Sequence, residues 1–148
     1  YGTQSFLDGA PDWLAGWTGM RIDSGDPVAG AETAIRWWQS RGEDPRGKLV
    51  IFSDGLDVDK IAELHARFHG RVKVSFGWGT LLTNDFRGLV QGDRLAPFSL
   101  VCKAAAADGR PTVKLSDNPA KATGPAEQIQ RYKRVFGVGA QTHQPVLV

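Results

Sequence analysis

Three short polar stretches hold the residues best suited to chemistry: Asp23-Ser24-Gly25-Asp26, Ser53-Asp54-Gly55 and Gly77-Trp78-Gly79-Thr80. Carboxylates such as Asp23 and Asp54 can bind sugar hydroxyls, hold a hydrated Mg²⁺ or stabilise a cation that develops during a reaction. An Asp behind a strand often only caps the next helix. Here Asp26 and Asp57 are better placed as caps, which leaves Asp23 and Asp54 available. In Gly77 to Thr80 the glycines let backbone N–H groups approach an anion, and Thr80 adds a hydroxyl; the same motif also makes a plain tight turn. Arg21 precedes Asp23 by two residues, so an extended chain puts both on one side. Its guanidinium suits a carboxylate or a phosphate, and a structural ion pair with Asp23 or Asp54 is the competing use.

The elements that must position these residues follow from periodicity. Strands are expected at 20–23, 49–53 and 72–76, the second a continuous apolar run (Leu49-Val50-Ile51-Phe52) of the kind buried in parallel sheets. Helices are expected at 28–41 and 58–69. Asp26 caps the first, with Pro27 in its opening turn, Val28, Ala31, Ile35 and Trp38 on one face, a Glu32–Arg36 pair on another, and Gly42 as exit. Asp57 caps the second, where Ile61, Leu64, His65 and Phe68 share a face and Gly70 closes it. Such β/α alternation builds a parallel sheet. All three polar stretches follow a strand, so they should meet at its carboxyl rim, where α/β proteins bind ligands.

Beyond Gly88 the pattern changes. Residues 98–107 and 111–115 are expected to form an antiparallel hairpin about Asp108-Gly109-Arg110. A helix opened by Pro125 should turn Ile129, Tyr132 and Phe136 to a core and close at Gly137, leaving 138–148 as a tail. His65 reads as a core histidine, and His69 and His143 as exposed. Trp37 and Trp38 read as packing residues, with Trp37 a candidate to face a neighbouring subunit, and Cys102 as inert in an apolar strand. Lys103 and Lys114 lie on the hairpin, either reaching an anionic ligand or simply solvated.

Composition bounds the function. With 148 residues, 41% hydrophobic and 23% charged, the chain is one folded domain's worth, and 18 Lys and Arg against 16 Asp and Glu leave +2, which argues against a nucleic-acid reader. One cysteine makes no internal disulfide or zinc set, and no run reaches the ~20 apolar residues of a membrane helix. The expectation is a cytoplasmic protein, off the membrane and metal-free in its own framework. The start, Tyr1-Gly-Thr-Gln-Ser-Phe, has neither an initiator Met nor a signal-peptide profile, so a fragment or processed chain is expected.

Taken in order, Tyr1-Gly-Thr, Arg21-Ile-Asp-Ser-Gly-Asp-Pro27, Phe52-Ser-Asp-Gly-Leu-Asp57, Ser75-Phe-Gly-Trp-Gly-Thr80 with Leu82-Thr-Asn-Asp85, and Lys114-Leu-Ser-Asp-Asn-Pro119 resemble the nicotinate phosphoribosyltransferase family over residues 1 to 137. The resemblance implies an α/β fold, part of the irregular, TIM-like β/α barrel of type II phosphoribosyltransferases, with the hairpin and helix at its C-terminal side. The implied reaction joins nicotinate to phosphoribosyl pyrophosphate, giving nicotinate mononucleotide and pyrophosphate in NAD biosynthesis. Mg²⁺ accompanies the pyrophosphate, and ATP hydrolysis is coupled through a phosphorylated histidine. The resemblance puts Arg21 and Asp23 at the base and ribose, and Asp54-Gly55 with Gly77 to Thr80 at the ribose and 5′-phosphate; the expected substrate-binding residues are Arg21, Ser24, Gly55, Gly77, Gly79 and Thr80. Asp23 and Asp54 are the expected catalytic carboxylates. Asp26, where nicotinamide-using relatives tend to carry Asn, favours nicotinate. None of His65, His69 and His143 matches the phosphorylated histidine, so residues 1–137 are expected to be the C-terminal part of a catalytic domain, inactive by itself, from an enzyme that can form homo-oligomers. Two alternatives stand beside this one. One is a phosphosugar isomerase or aldolase barrel, which needs a base or Schiff-base lysine not seen at the strand ends; the other is a non-catalytic phosphosugar- or nucleotide-binding segment.

Overall fold

The computed structural model describes residues 3–86, 88–89, 91–98, 100–116 and 121–136. They fall into two units, one of residues 10–98 and one of residues 3–9 with 100–136. The second unit includes a short helix α1 (Thr3–Gly9).

In the first unit, strands β1 (Gly19–Ile22), β2 (Leu49–Phe52) and β3 (Lys73–Phe76) form a parallel sheet in the order β1-β2-β3. Gly19, Leu49 and Lys73 are level at one end, and Ile22, Phe52 and Phe76 at the other. Helix α2 (Pro27–Ser40) joins β1 to β2, and α3 (Val58–Phe68) joins β2 to β3. These are the expected elements within one or two residues at their ends. Both caps form as the residue types dictate: Asp26 Oδ1 accepts from the Ala29 amide at 2.7 Å, and Asp57 Oδ1 from the Lys60 amide at 2.9 Å.

Strand alternation divides the sheet into two unlike faces. Met20, Ile22, Val50, Phe52, Val74 and Phe76 point toward the helices. Phe52 lies 5.7 Å from Phe68 of α3 and 5.8 Å from Phe76, and Ala31, Ile35, Trp38 and Leu64 are buried with them. Each large side chain so buried contributes about 1.5–3 kcal/mol. The other face carries Arg21, Ile51, Lys73 and Ser75, and neither helix covers it; of these only Ile51 is even half-buried.

Trp37 and Trp38 are both buried, as packing residues should be, because α2 turns a broad arc inward that includes Ala34 and Ile35 as well; Trp37 does not face outward toward a neighbour, and the Arg41 guanidinium stacks 4.5 Å above its ring. Two expectations in this unit are corrected. His65 is exposed, its ring 5.0 Å from that of His69, because the inward stripe of α3 is Leu64 and Phe68 and the next residue is turned about 100° away. Glu32 does not pair with Arg36. It takes a bidentate bond at 2.8 and 2.9 Å from Arg71, while Arg36 bonds Thr33. Both competitors carry the same guanidinium fork, and Arg71 is the one placed to engage both carboxylate oxygens, whereas Arg36 is turned to Thr33.

At the amino end of the sheet, Lys48 is buried. Its ammonium donates to the Ala15 carbonyl at 2.7 Å and the Trp17 carbonyl at 3.2 Å, and pairs with Glu43 at 2.7 Å.

In the second unit the Asp-Gly hairpin forms, with positive φ at both Asp108 (49°) and Gly109 (71°), but β4 (Ala106–Ala107) and β5 (Arg110–Pro111) are only two residues each. The expected long strands are absent. Pro111 lacks an N–H for the ladder, and the alanine run has little side chain to bury. Leu100, Val101 and Cys102 are exposed, so Cys102 is not in an apolar strand. Further on, Lys114 and Thr123 form an antiparallel bridge, and Lys103 Nζ donates to the Lys121 carbonyl at 3.1 Å. Helix α4 (Ala126–Val135) begins just after Pro125, which serves as its N-cap. Ile129 is half-buried, whereas Tyr132 and Phe136 are exposed and stack on each other at 5.8 Å instead of entering a core. Gly137, the tail 138–148, His143 and the Asp117-Asn118-Pro119 part of the family motif lie outside the described residues. Among those described, no helix is long and apolar enough to cross a membrane.

Candidate functional site

Because Ile22, Phe52 and Phe76 are level, the residues one step further, Asp23, Ser53 and Gly77, begin their turns level as well. The ladder continues to that step: the Ser53 amide donates to the Ile22 carbonyl at 3.0 Å and the Gly77 amide to the Phe52 carbonyl at 2.8 Å. Parallel strands lie about 4.8 Å apart, so all three turns start within about 10 Å of one another on a single rim. Helices α2 and α3 also start there, their first turns closed by Asp26 and Asp57.

Arg21 and Asp23 pair, through Arg21 Nη2 and Asp23 Oδ1, which is the structural use weighed for Arg21. The pair is joined by a residue that sequence reasoning did not single out. Arg21 Nε donates to Ser53 Oγ at 2.8 Å, and Ser53 Oγ lies 3.3 Å from Asp23 Oδ1 and 3.2 Å from the Ile22 carbonyl. The signal was present in the period of two: Ser53 follows β2 on the same face as Ile51, whose register partner is Arg21. Arg21 and Asp23 remain 58% exposed at their side chains, open to a ligand.

Asp54 is half-buried and has no hydrogen-bond or ion-pair partner among the described residues. Ser24, Gly55, Gly79 and Thr80 are exposed on the same rim, with Gly55 at φ 58°. The cradle expected at Gly77 to Thr80 needs one correction. The Gly77 N–H is committed to Phe52, so this residue offers no donor; a Cβ on it would come within 3.1 Å of the Ser53 Cβ, and its role is to let the two turns lie close. The amides of Trp78 and Gly79 bond to nothing among the described residues, and a Cβ at Gly79 would meet nothing within 4 Å. The Trp78 indole N–H is buried and has no partner among the described residues.

The rim thus combines two carboxylates, a guanidinium, hydroxyls and backbone amides, a set able to hold an anion and a sugar together. No group of three His, Cys, Asp or Glu able to hold a metal occurs among the described residues. A lone half-buried carboxylate such as Asp54 still fits a hydrated Mg²⁺ that brings phosphate ligands of its own.

A second concavity of about 470 Å³ lies on the helical side, lined by Glu32, Arg36, Asp44, Arg46 and Arg71 among others. Its charges are largely paired within it. The Arg71 hydrogen bonds hold the Glu32 carboxyl below the usual carboxylate range, and those of Arg46 do the same to Asp44.

Fold and rim together define an α/β protein that carries a polar, anion-compatible site on the carboxyl edge of a parallel sheet. The chain belongs to the nicotinate phosphoribosyltransferase (NAPRTase) family, whose model matches residues 2–144. It is similar to the crystal structure of a nicotinate phosphoribosyltransferase from Vibrio cholerae, with 41% identity and a TM-score of 0.77, covering 93% of this chain and 34% of that one. Similarity to the Porphyromonas gingivalis nicotinate phosphoribosyltransferase is 37% identity with a TM-score of 0.72, covering 93% of this chain and 36% of that one. The chain therefore spans about a third of the length of the structures it matches.

Proposed function

We propose that this chain supplies the carboxylate rim and the 5′-phosphate cradle of an enzyme that makes nicotinate mononucleotide from nicotinate and phosphoribosyl pyrophosphate. The observation that carries the reading is the level start of Asp23, Ser53 and Gly77 beside an Asp54 with no partner among the described residues, in a chain of this family. The ring nitrogen of nicotinate forms a bond to C1 of the ribose as the bond from C1 to pyrophosphate oxygen breaks, its electron pair leaving with pyrophosphate. C1 gains oxocarbenium character, and Asp23 and Asp54 stabilise that positive charge. Arg21 and Ser24 hold the ribose and the base, while Gly55, the Trp78 and Gly79 amides and the Thr80 hydroxyl hold ribose and phosphate, fixing C1 against the nucleophile. Mg²⁺, when bound beside Asp54, supplies charge neutralisation of the pyrophosphate.

The three-stranded sheet is one wall of an irregular β/α barrel in this reading. The uncovered face with Arg21, Ile51 and Ser75 supports it, being the face a barrel turns inward. ATP hydrolysis through a phosphorylated histidine belongs to the same proposal and rests on the family resemblance. His65 and His69 lie at the end of α3 away from the rim, and the reading gives them no part in it. The 148-residue chain alone is expected to form no product.

The test is an assay of the full-length protein that contains this chain, with nicotinate, phosphoribosyl pyrophosphate and Mg²⁺, with and without ATP. Nicotinate mononucleotide and pyrophosphate in equal amounts, with ATP raising the yield, is the expected result. Calorimetric binding of a phosphosugar without mononucleotide formation would overturn the reading in favour of a binding module.

A further inference from the structure

Ser53 sits where the first two strands end, and its hydroxyl is within hydrogen-bond reach of three groups from β1 and the turn after it. It accepts from Arg21 Nε at 2.8 Å, which leaves its single proton for one of two acceptors. The Ile22 carbonyl, at 3.2 Å, already receives the Ser53 amide at 3.0 Å; Asp23 Oδ1, at 3.3 Å, carries charge and is the stronger acceptor. Arg21 Nη2 donates to that same Oδ1. Two donors therefore converge on one carboxylate oxygen, and Oδ2 receives no bond among the described residues.

We infer that Ser53 is a positioning residue that fixes the Asp23 carboxylate with Oδ1 held and Oδ2 presented to the reacting ribose, and that locks the Arg21 fork in the same step. The inference rests on the proposed phosphoribosyl transfer. Ser53 touches no reacting atom and acts through Asp23. Without the hydroxyl, Arg21 Nε loses its acceptor, one of the two bonds on Oδ1 disappears, and Asp23 is free to rotate.

The experiment is a double-mutant cycle in the full-length enzyme, with thermal melting and circular dichroism on each variant. Ser53→Ala is expected to lower kcat about tenfold, the size of one hydrogen bond to a charged group, with KM for phosphoribosyl pyrophosphate changed less than about twofold. Ser53→Thr keeps the hydroxyl and is expected to recover most of the rate. In an Asp23→Asn background, Ser53→Ala is expected to cost less than about a further twofold, because the group it positions has already lost its charge. Should the alanine variant not fold, Ser53→Cys keeps the volume and replaces the hydroxyl by a weak donor, and the same cycle is read with it. Losses that multiply in the double variant, or a Ser53→Ala enzyme at the parent rate, would overturn the inference. A parent enzyme that forms no mononucleotide is a different result, visible before any variant is made, and it removes the proposed function and this inference together.

Discussion

The two ends of one three-stranded sheet are built from the same strands in the same register, yet they treat their polar groups in opposite ways. At the amino end the Lys48 ammonium is buried and all three of its donors are used, on the carbonyls of Ala15 and Trp17 and on Glu43. At the carboxyl end Arg21 and Asp23 stay open to solvent, Asp54 lacks a partner among the described residues, and two backbone amides in the third turn point to no acceptor there. An end that satisfies itself has only the fold to serve. An end with donors and acceptors left over is stable there because water reaches it, and a ligand that replaces the water can use every one of them. One rim is closed on itself and the other, in the function proposed above, is where the ligand binds; each half of that contrast can be broken separately.

The largest effect is expected from Asp23→Asn in the full-length enzyme. It keeps the shape and removes the charge, so kcat should fall by about two to three orders of magnitude, a barrier change of about 3–4 kcal/mol, with little change in KM or melting temperature. A melting temperature that drops with the rate would break the comparison at the rim. Next is Lys48→Met at the amino end, which strands two carbonyls and Glu43 without their donor. About 2–3 kcal/mol of unfolding free energy should be lost in denaturant titration, while kcat of the folded enzyme holds.

Gly79→Val sharpens the rim further. The fold leaves room for a Cβ there, so stability should be unchanged, but a side chain at that position keeps the amides from closing on a phosphate. KM for phosphoribosyl pyrophosphate should rise about tenfold, more than kcat falls, because the phosphate is bound before and during the reaction alike. A Gly79 variant with parental KM would remove the cradle from the rim.

The smallest effect tests neither end and serves as the control. The Arg71 bonds depress the Glu32 carboxyl, so the pair contributes its stability above the ordinary carboxylate pKa and loses it as pH falls through the lower folded value. Glu32→Gln should therefore cost less than about 1 kcal/mol at neutral pH, and the difference from the parent should vanish in acid, read from urea midpoints across pH 2–7.

Where side chains alternate and helices are amphipathic, the sequence is a sufficient guide: the Asp26 and Asp57 caps, the β/α order and the common rim all follow from local patterns. Legibility fails where an outcome depends on what lies across space. Glu32 chose Arg71, thirty-nine residues away, over Arg36 on its own helix, and no spacing rule contains that competition. Ser53 was hidden because a serine after a strand is ordinary until the register shows that Arg21 lies beside it. The Gly77 amide looked like a donor for an anion, and only the continuing ladder shows that Phe52 has taken it. In the second unit the Asp-Gly turn was plain, but turn residues say nothing about how far a ladder runs, and here it stops after two residues.

The sheet order β1-β2-β3 is also the order in which the strands leave the ribosome. Each new strand pairs with the one made just before it, its register partners 30 residues apart for β1 and β2 and 24 for β2 and β3, so no strand waits for a distant partner and closure of each unit is entropically modest. The β1-α2-β2 half can pair before β3 has joined it, and β3 then adds to the β2 edge.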